Sequence, residues 1–124
     1  MGIPSYLLQH AEKLGANISQ KGIEEFITAQ LESVSGLVLN LGAGYRRFNE
    51  LTGGTEIAVD IVSNPVIDVV ADAHFLPFKT DSFECAVLRE VLEHLSSPEL
   101  AVAELSRVLK PGGKVALTTS TSSD

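Results

Sequence analysis

The sequence predicts an α/β domain: a doubly wound, mostly parallel five-stranded sheet with helices on both faces. Three observations carry this. Short, nearly continuous apolar runs alternate with helical segments, which is how strands covered on both faces read. A Gly42-Ala43-Gly44 turn breaks the first of these runs abruptly, and Asp60 and Asp72 stand at or just after the ends of the next two. The chain has 124 residues, of which 44% are hydrophobic and 20% charged, so one folded domain and one core are expected over 1–124. Within it, 1–36 reads as N-terminal helices, 37–119 as the core and 120–124 as a frayed tail.

A first helix enters at Pro4 and Ser5, with Leu7, Leu8, Ala11 and Leu14 on one face and Gly15 ending it. A second follows Ser19, with Ile23, Phe26, Ile27, Leu31 and Val34 at three- and four-residue spacing until Ser35 and Gly36 stop it. The first strand spans 37–41. A short helix is expected over 45–51, ended by Gly53-Gly54, before a second strand at 57–59 that terminates at Asp60. The third strand is expected over 66–70. The connection to it, around Ser63-Asn64-Pro65, is too short for a full crossover helix, which leaves a reduced crossover or a plain loop. A fourth strand covers 83–88. Ser97 as a cap and Pro98 at the first helical position then open a helix whose buried stripe is Leu105, Val108 and Leu109 and which ends where Lys110 meets Pro111. Pro111-Gly112-Gly113 launches a fifth strand at 114–118.

Nine Lys and Arg against sixteen Asp and Glu give a formal charge of −7, which disfavours nucleic acid and anionic lipid as partners. The single cysteine, Cys85, cannot close an internal disulfide, no apolar run is long enough to span a membrane and no signal peptide is visible, so a cytoplasmic protein is expected. His10, His74 and His94 lack metal-ligand spacing, so no metal site is expected.

In doubly wound sheets ligands bind at the carboxyl ends of the strands. Gly44, Asp60, Asp72 and Arg89 should therefore gather on one edge. A Gly-x-Gly turn lets a ligand approach the backbone, Asp60 is placed to accept from two ribose hydroxyls, and Asp72 from an adenine amino group. Singly, each is an ordinary turn residue; together, in this order, they describe a nucleoside-shaped site. Arg47 stands where a dinucleotide fingerprint needs its third glycine, and there is no Walker pattern.

The run Val38-Leu39-Asn40-Leu41-Gly42-Ala43-Gly44, then Ile57-Ala58-Val59-Asp60, Ala71-Asp72-Ala73, Leu76-Pro77-Phe78 with Asp81-Ser82-Phe83-Glu84, Val91-Leu92-Glu93-His94, and Leu105-Ser106-Arg107-Val108-Leu109-Lys110-Pro111-Gly112-Gly113 resembles the class I S-adenosylmethionine-dependent methyltransferases of the small-molecule type. The resemblance implies a Rossmann-like fold and S-adenosylmethionine as cofactor, held by Asn40, Leu41, Gly42, Ala43, Gly44, Asp60, Ile61, Asp72, Ala73, His74, Arg89 and Glu90. In that scheme 42–44 meet the methionine part, Asp60 the ribose, Asp72 and Ala73 the adenine, and 89–90 pass near the sulfonium. Methyl transfer mainly requires alignment and exclusion of water. Glu90 and His94 are the acid or base groups nearby, with His94 read as a helix or supporting residue.

Three departures stand out. Asn40 occupies a position where the family usually has an acid that organises the glycine loop. Arg46 and Arg47 follow Gly44, either as cations beside the site or as solvated charges on the short helix. The family core continues past the fifth strand, whereas this chain stops at Asp124; the fifth strand would then present an open edge, and pairing with a second copy or a partner chain is expected. The methyl acceptor is unidentified, and a non-catalytic cofactor-binding or scaffolding module is the alternative to an enzyme.

Overall fold

The computed structural model describes residue 31, residues 34–48 and residues 53–118, with Thr118 described by its backbone alone. These residues form β1 (Ser35–Leu41), β2 (Gly53–Asp60), β3 (Val69–Val70), β4 (Phe83–Arg89), a 3-10 turn at Leu92–His94, α1 (Pro98–Val108) and β5 (Leu109–Thr118). The strands make one parallel sheet in the order β3-β2-β1-β4-β5. The order reverses between β1 and β4, where Leu41 lies level with Val59 on one side and Leu88 on the other. Such a reversal opens a crevice at the carboxyl ends of the strands.

Alternation along β1 explains why it sits at the centre. Leu39 and Leu41 join Val59, Ala86, Leu88, Val115 and Leu117 on the face that α1 covers with Ala101, Val102, Leu105 and Val108. Val38 points the other way, into a second cluster with Cys85, Val87, Ala116 and the fully buried, helical Leu31. Both faces are thus covered, as buried parallel strands require. Among the described residues, no helix is long and apolar enough to cross a membrane.

Several boundaries differ from the sequence-based expectations. Residues 45–48 are turn and coil rather than helix. Their backbone is claimed elsewhere: the Phe48 N–H donates to Glu56 Oε1 and the Arg46 carbonyl accepts from Asn40 Nδ2. Gly53 and Gly54 do not end that segment but open β2, level with Ser35 and Gly36, which in turn belong to β1. The third strand shrinks from 66–70 to Val69–Val70 because Asn64 makes an Asx turn, its Oδ1 accepting the Val66 N–H while its carbonyl takes the Ile67 N–H. The connection from β2 is a plain loop.

Pro98 opens α1 as expected, but Ser97 makes no side-chain cap. The helix ends at Val108, short of Lys110, where the N–H groups of Asp81 and Ser82 take up the carbonyls of Arg107 and Val108. The fifth strand begins at Leu109, and the Pro111-Gly112-Gly113 segment is a bulge within it: the register passes from Phe83 against Leu109 to Cys85 against Lys114. The expected helices in 1–30 and the tail at 120–124 lie outside the described residues.

Candidate cofactor site

A cavity of about 530 Å³ opens at the carboxyl ends of the strands. Leu41 and Gly42 leaving β1, Asp60 and Ile61 leaving β2, residues 71–74 after β3, and residues 89–91 and 94–96 after β4 line it. Its size lies within the ~300–1,000 Å³ typical of small-molecule sites.

The glycine turn closes onto β2. The N–H groups of Gly42 and Ala43 both donate to the Val59 carbonyl, at 2.8 and 3.0 Å. Gly42 has φ +73°, and a Cβ there would come within 2.5 Å of Val91 Cγ2, so glycine is required by both conformation and space. One residue on, the Gly44 N–H donates to Asp60 Oδ2 at 2.8 Å, and Asn64 Nδ2 holds the Gly44 carbonyl at 2.9 Å. The other Asp60 oxygen, Oδ1, accepts the Val62 N–H at 3.2 Å. A carboxylate has about four acceptor positions. With one backbone donor on each oxygen, Asp60 is oriented and still has acceptor capacity on both, as a vicinal diol requires.

On the opposite wall, Asp72 Oδ1 receives the His74 N–H at 2.9 Å and His74 Nδ1 at 2.6 Å. These bonds, the backbone one first, hold the Asp72 carboxyl below the usual carboxylate range. His74 Nε2 faces the Ser97 N–H at 3.1 Å, so Ser97 at the entry of α1 is tied to this wall. The Leu76-Pro77-Phe78 segment beyond it is fixed by α1 as well. Glu104 accepts the Leu76 N–H, and Arg107 donates to the carbonyls of Leu76 and Phe78. Glu90, at the cavity mouth, has φ +54°, a strained conformation for a residue with a Cβ.

Nine of the twelve residues expected at the site line this cavity: Leu41, Gly42, Asp60, Ile61, Asp72, Ala73, His74, Arg89 and Glu90. Asn40, Ala43 and Gly44 do not. Gly44 acts through Asp60. Asn40 shares the β1 face of Val38, and its buried amide donates to the Arg46 carbonyl and to Glu56 Oε2, both at 2.8 Å. It therefore braces the glycine loop from behind the sheet. Arg47 does not line the cavity and is not on a helix; it is an exposed surface charge that bonds Asp68 Oδ2 at 2.8 Å and the Val66 carbonyl at 2.9 Å. The Arg89 guanidinium stands 5.4 Å from the centre of the Phe48 ring.

Sequence reading missed Ala71, Val91, Leu95 and Ser96 as lining residues and gave His94 only a supporting place, although it too borders the cavity. The 3-10 turn at Leu92–His94 brings residues 94–96 to the cavity, and three residues have no periodicity to announce it.

A parallel sheet of this order with a cavity at its reversal defines a domain of the doubly wound α/β class. Residues 39–117 match the family described as the methyltransferase domain, and the chain belongs to that family. It is 33% identical over 104 residues to the ubiquinone/menaquinone biosynthesis C-methyltransferase of Blochmanniella pennsylvanica, an alignment covering 66% of this chain and 41% of that protein. It is 28% identical over 115 residues to a ubiquinone biosynthesis O-methyltransferase of Xanthomonas oryzae, covering 77% of this chain and 47% of the relative. Among solved structures, a putative S-adenosyl-L-methionine-dependent methyltransferase of Methanococcus maripaludis superposes with a TM-score of 0.62 at 20% identity, over 77% of this chain and 52% of that one. The fold is thus the Rossmann-like fold of the class I methyltransferases. The chain spans about half the length, or less, of these relatives.

Proposed function

We propose that this chain is the cofactor-binding part of an S-adenosylmethionine-dependent methyltransferase. The observation that carries the reading is the Asp60 carboxylate, aimed by Gly44 and Val62 at the rim of the cavity with acceptor capacity left on both oxygens. Asp60 would hold the ribose, Ile61, Asp72 and Ala73 the adenine, and the backbone at Gly42 the methionine end. When bound, S-adenosylmethionine supplies an electrophilic methyl group on a sulfonium.

The residues of the chain then have three tasks. Asp60 and the glycine turn orient the nucleoside. His94, the last residue of the 3-10 turn, and Leu95 border the cavity, and their task would be to limit the access of water. Glu90 and His94, both exposed at the cavity, are placed to receive a proton from a nucleophile that carries one. The acceptor itself is an unidentified small molecule or macromolecule.

The test is calorimetric titration of S-adenosylmethionine and S-adenosylhomocysteine, beside Asp60→Ala and an NADH comparison. Saturable binding of both sulfur ligands, lost in Asp60→Ala and absent for NADH, is expected. No binding at millimolar ligand would overturn the reading, whereas binding without turnover on a nucleophile panel would favour the non-catalytic module.

Two coarser expectations remain part of this proposal. A cytoplasmic setting is supported by the lone thiol of Cys85, which is buried and which burial pushes up to about 11. Pairing of β5 with a second copy or a partner chain is supported by its place at the end of the sheet order among the described residues; a monomer by light scattering at micromolar concentration would overturn it.

A further inference from the structure

We infer that His74 is a positioning residue of the cofactor site and that its neutral, Nδ1-protonated form alone clasps the adenine-side wall to the entry of α1. This rests on the reading of the cavity as the cofactor site.

The hydrogen bonds dictate the tautomer. Nε2 lies 3.1 Å from the Ser97 N–H, a group that can only donate, so Nε2 must offer its lone pair. Nδ1 lies 2.6 Å from the Asp72 carboxylate, a group that at neutral pH can only accept, so Nδ1 must carry the proton. The ring thereby links a residue two positions before it to one 23 positions after it. Its side chain is only 11% exposed, so water replaces neither bond readily.

Protonation of the ring is incompatible with this arrangement. An imidazolium carries a proton on Nε2 as well, which would then face the Ser97 N–H, donor against donor. The Ser97 bond is lost and the attraction to Asp72 grows. Both changes act on the cavity: Ser96 and Leu95 border it immediately before Ser97, and Asp72 is drawn toward the ring and away from the adenine position.

Charged groups share His74's surroundings on two sides. Toward the cavity they are Asp60, Arg89, Glu90 and His94, together with Asp72. Toward α1 they are Glu104 and Arg107, which bond each other. Of these, Asp72 is the group whose carboxylate bonds the ring.

Long-range nitrogen–proton NMR on the full chain reads the tautomer without any ligand. Expected is a pyrrole-type Nδ1 and a pyridine-type Nε2 for His74 at pH 8, with the Ser97 amide shifting as the ring titrates. S-adenosylhomocysteine binding is then measured by calorimetry from pH 8 to 5.5. Where binding needs the neutral ring, the dissociation constant rises toward about tenfold per pH unit below the titration midpoint. His74→Gln keeps an acceptor for Ser97 that never protonates, so it should bind with a shallower pH profile than the wild type, the remaining slope belonging to other groups of the cavity such as His94. His74→Asn keeps a donor toward Asp72 but falls short of Ser97, so it should bind more weakly, with the same shallow profile as His74→Gln. A proton on Nε2 in the neutral ring, or a wild-type pH profile no steeper than that of His74→Gln, would overturn the proposal while leaving the cofactor reading intact. Failure of the wild type to bind at pH 8 would overturn the cofactor reading and the coupling together.

Discussion

Asp60 and Gly44, sixteen residues apart, are joined by a 2.8 Å bond from the glycine N–H to the carboxylate Oδ2. The bond couples the end of β2 to the turn leaving β1, so one side chain both shapes the loop and presents acceptor oxygens to the cavity. Asp60→Asn keeps one acceptor for Gly44 and loses the charge. With charged hydrogen bonds contributing about 1.5–3 kcal/mol each, S-adenosylhomocysteine affinity should fall roughly ten- to hundredfold, with the fold retained by circular dichroism. An unchanged dissociation constant would remove Asp60 from the nucleoside contacts.

Asn40 stands where the family usually has an acid, yet its surroundings favour the amide. Installing the usual acid, Asn40→Asp, would set a carboxylate against Glu56 Oε2, which now accepts from the Asn40 amide at 2.8 Å. Glu56 has a side chain only 6% exposed, so water screens the repulsion poorly. A loss of about 1–3 kcal/mol is expected from urea unfolding at pH 7. The double variant Asn40→Asp with Glu56→Gln should recover most of it, and a single variant as stable as the wild type would show that the amide is dispensable.

Gly42→Ala separates two costs. The left-handed backbone costs about 1–2 kcal/mol with any Cβ, and the clash with Val91 Cγ2 adds about 1–3 kcal/mol. Pairing it with Val91→Ala relieves the second cost only. A double-mutant cycle in thermal unfolding should therefore show a favourable coupling between the two sites; strict additivity would mean that Val91 does not press on Gly42.

Acid stability should depend on Glu104. Its carboxyl is held below the ordinary carboxylate value, first by the side-chain bonds from Arg107 and further by the Leu76 N–H. A depressed carboxyl stabilises the fold above its unfolded value of about 4, and that contribution disappears as pH falls through the lower folded value. Melting temperature measured from pH 7 to 2 should therefore drop in that acid window. Glu104→Gln should start lower at pH 7 and fall less steeply between about pH 4 and 2. Parallel curves for the two proteins would show that Arg107 does not hold the carboxylate preferentially.

What the sequence revealed and what it concealed divide along a physical line. Asp60, Asp72 and the glycine turn were legible because strand ends follow directly from where apolar runs stop, and one sheet edge collects them. The partners of those residues were not. Glu56 behind Asn40, Val91 against Gly42 and Ser97 beside His74 are all contacts through space, set by the register of strands and the path of loops. The 66–70 segment misled for a related reason: its apolar residues fit a strand, but Asn64 diverts the chain with hydrogen bonds that no hydropathy pattern encodes. Arg47 could not be placed between the site and the open surface because its counterion, Asp68, lies 21 residues away.

The central place of β1 also governs the order in which the molecule can assemble. Leu39 needs Ile57 on one flank and Ala86 on the other, and such distant pairings close slowly. During synthesis from the N-terminus, β2 can dock first, but the second flank of Val38-Leu39-Asn40-Leu41 stays bare until β4 has left the ribosome. A nascent chain stalled before Phe83 would therefore expose the central strand β1 as a sticky edge, which makes the interval between β2 and β4 the period when a chaperone matters most.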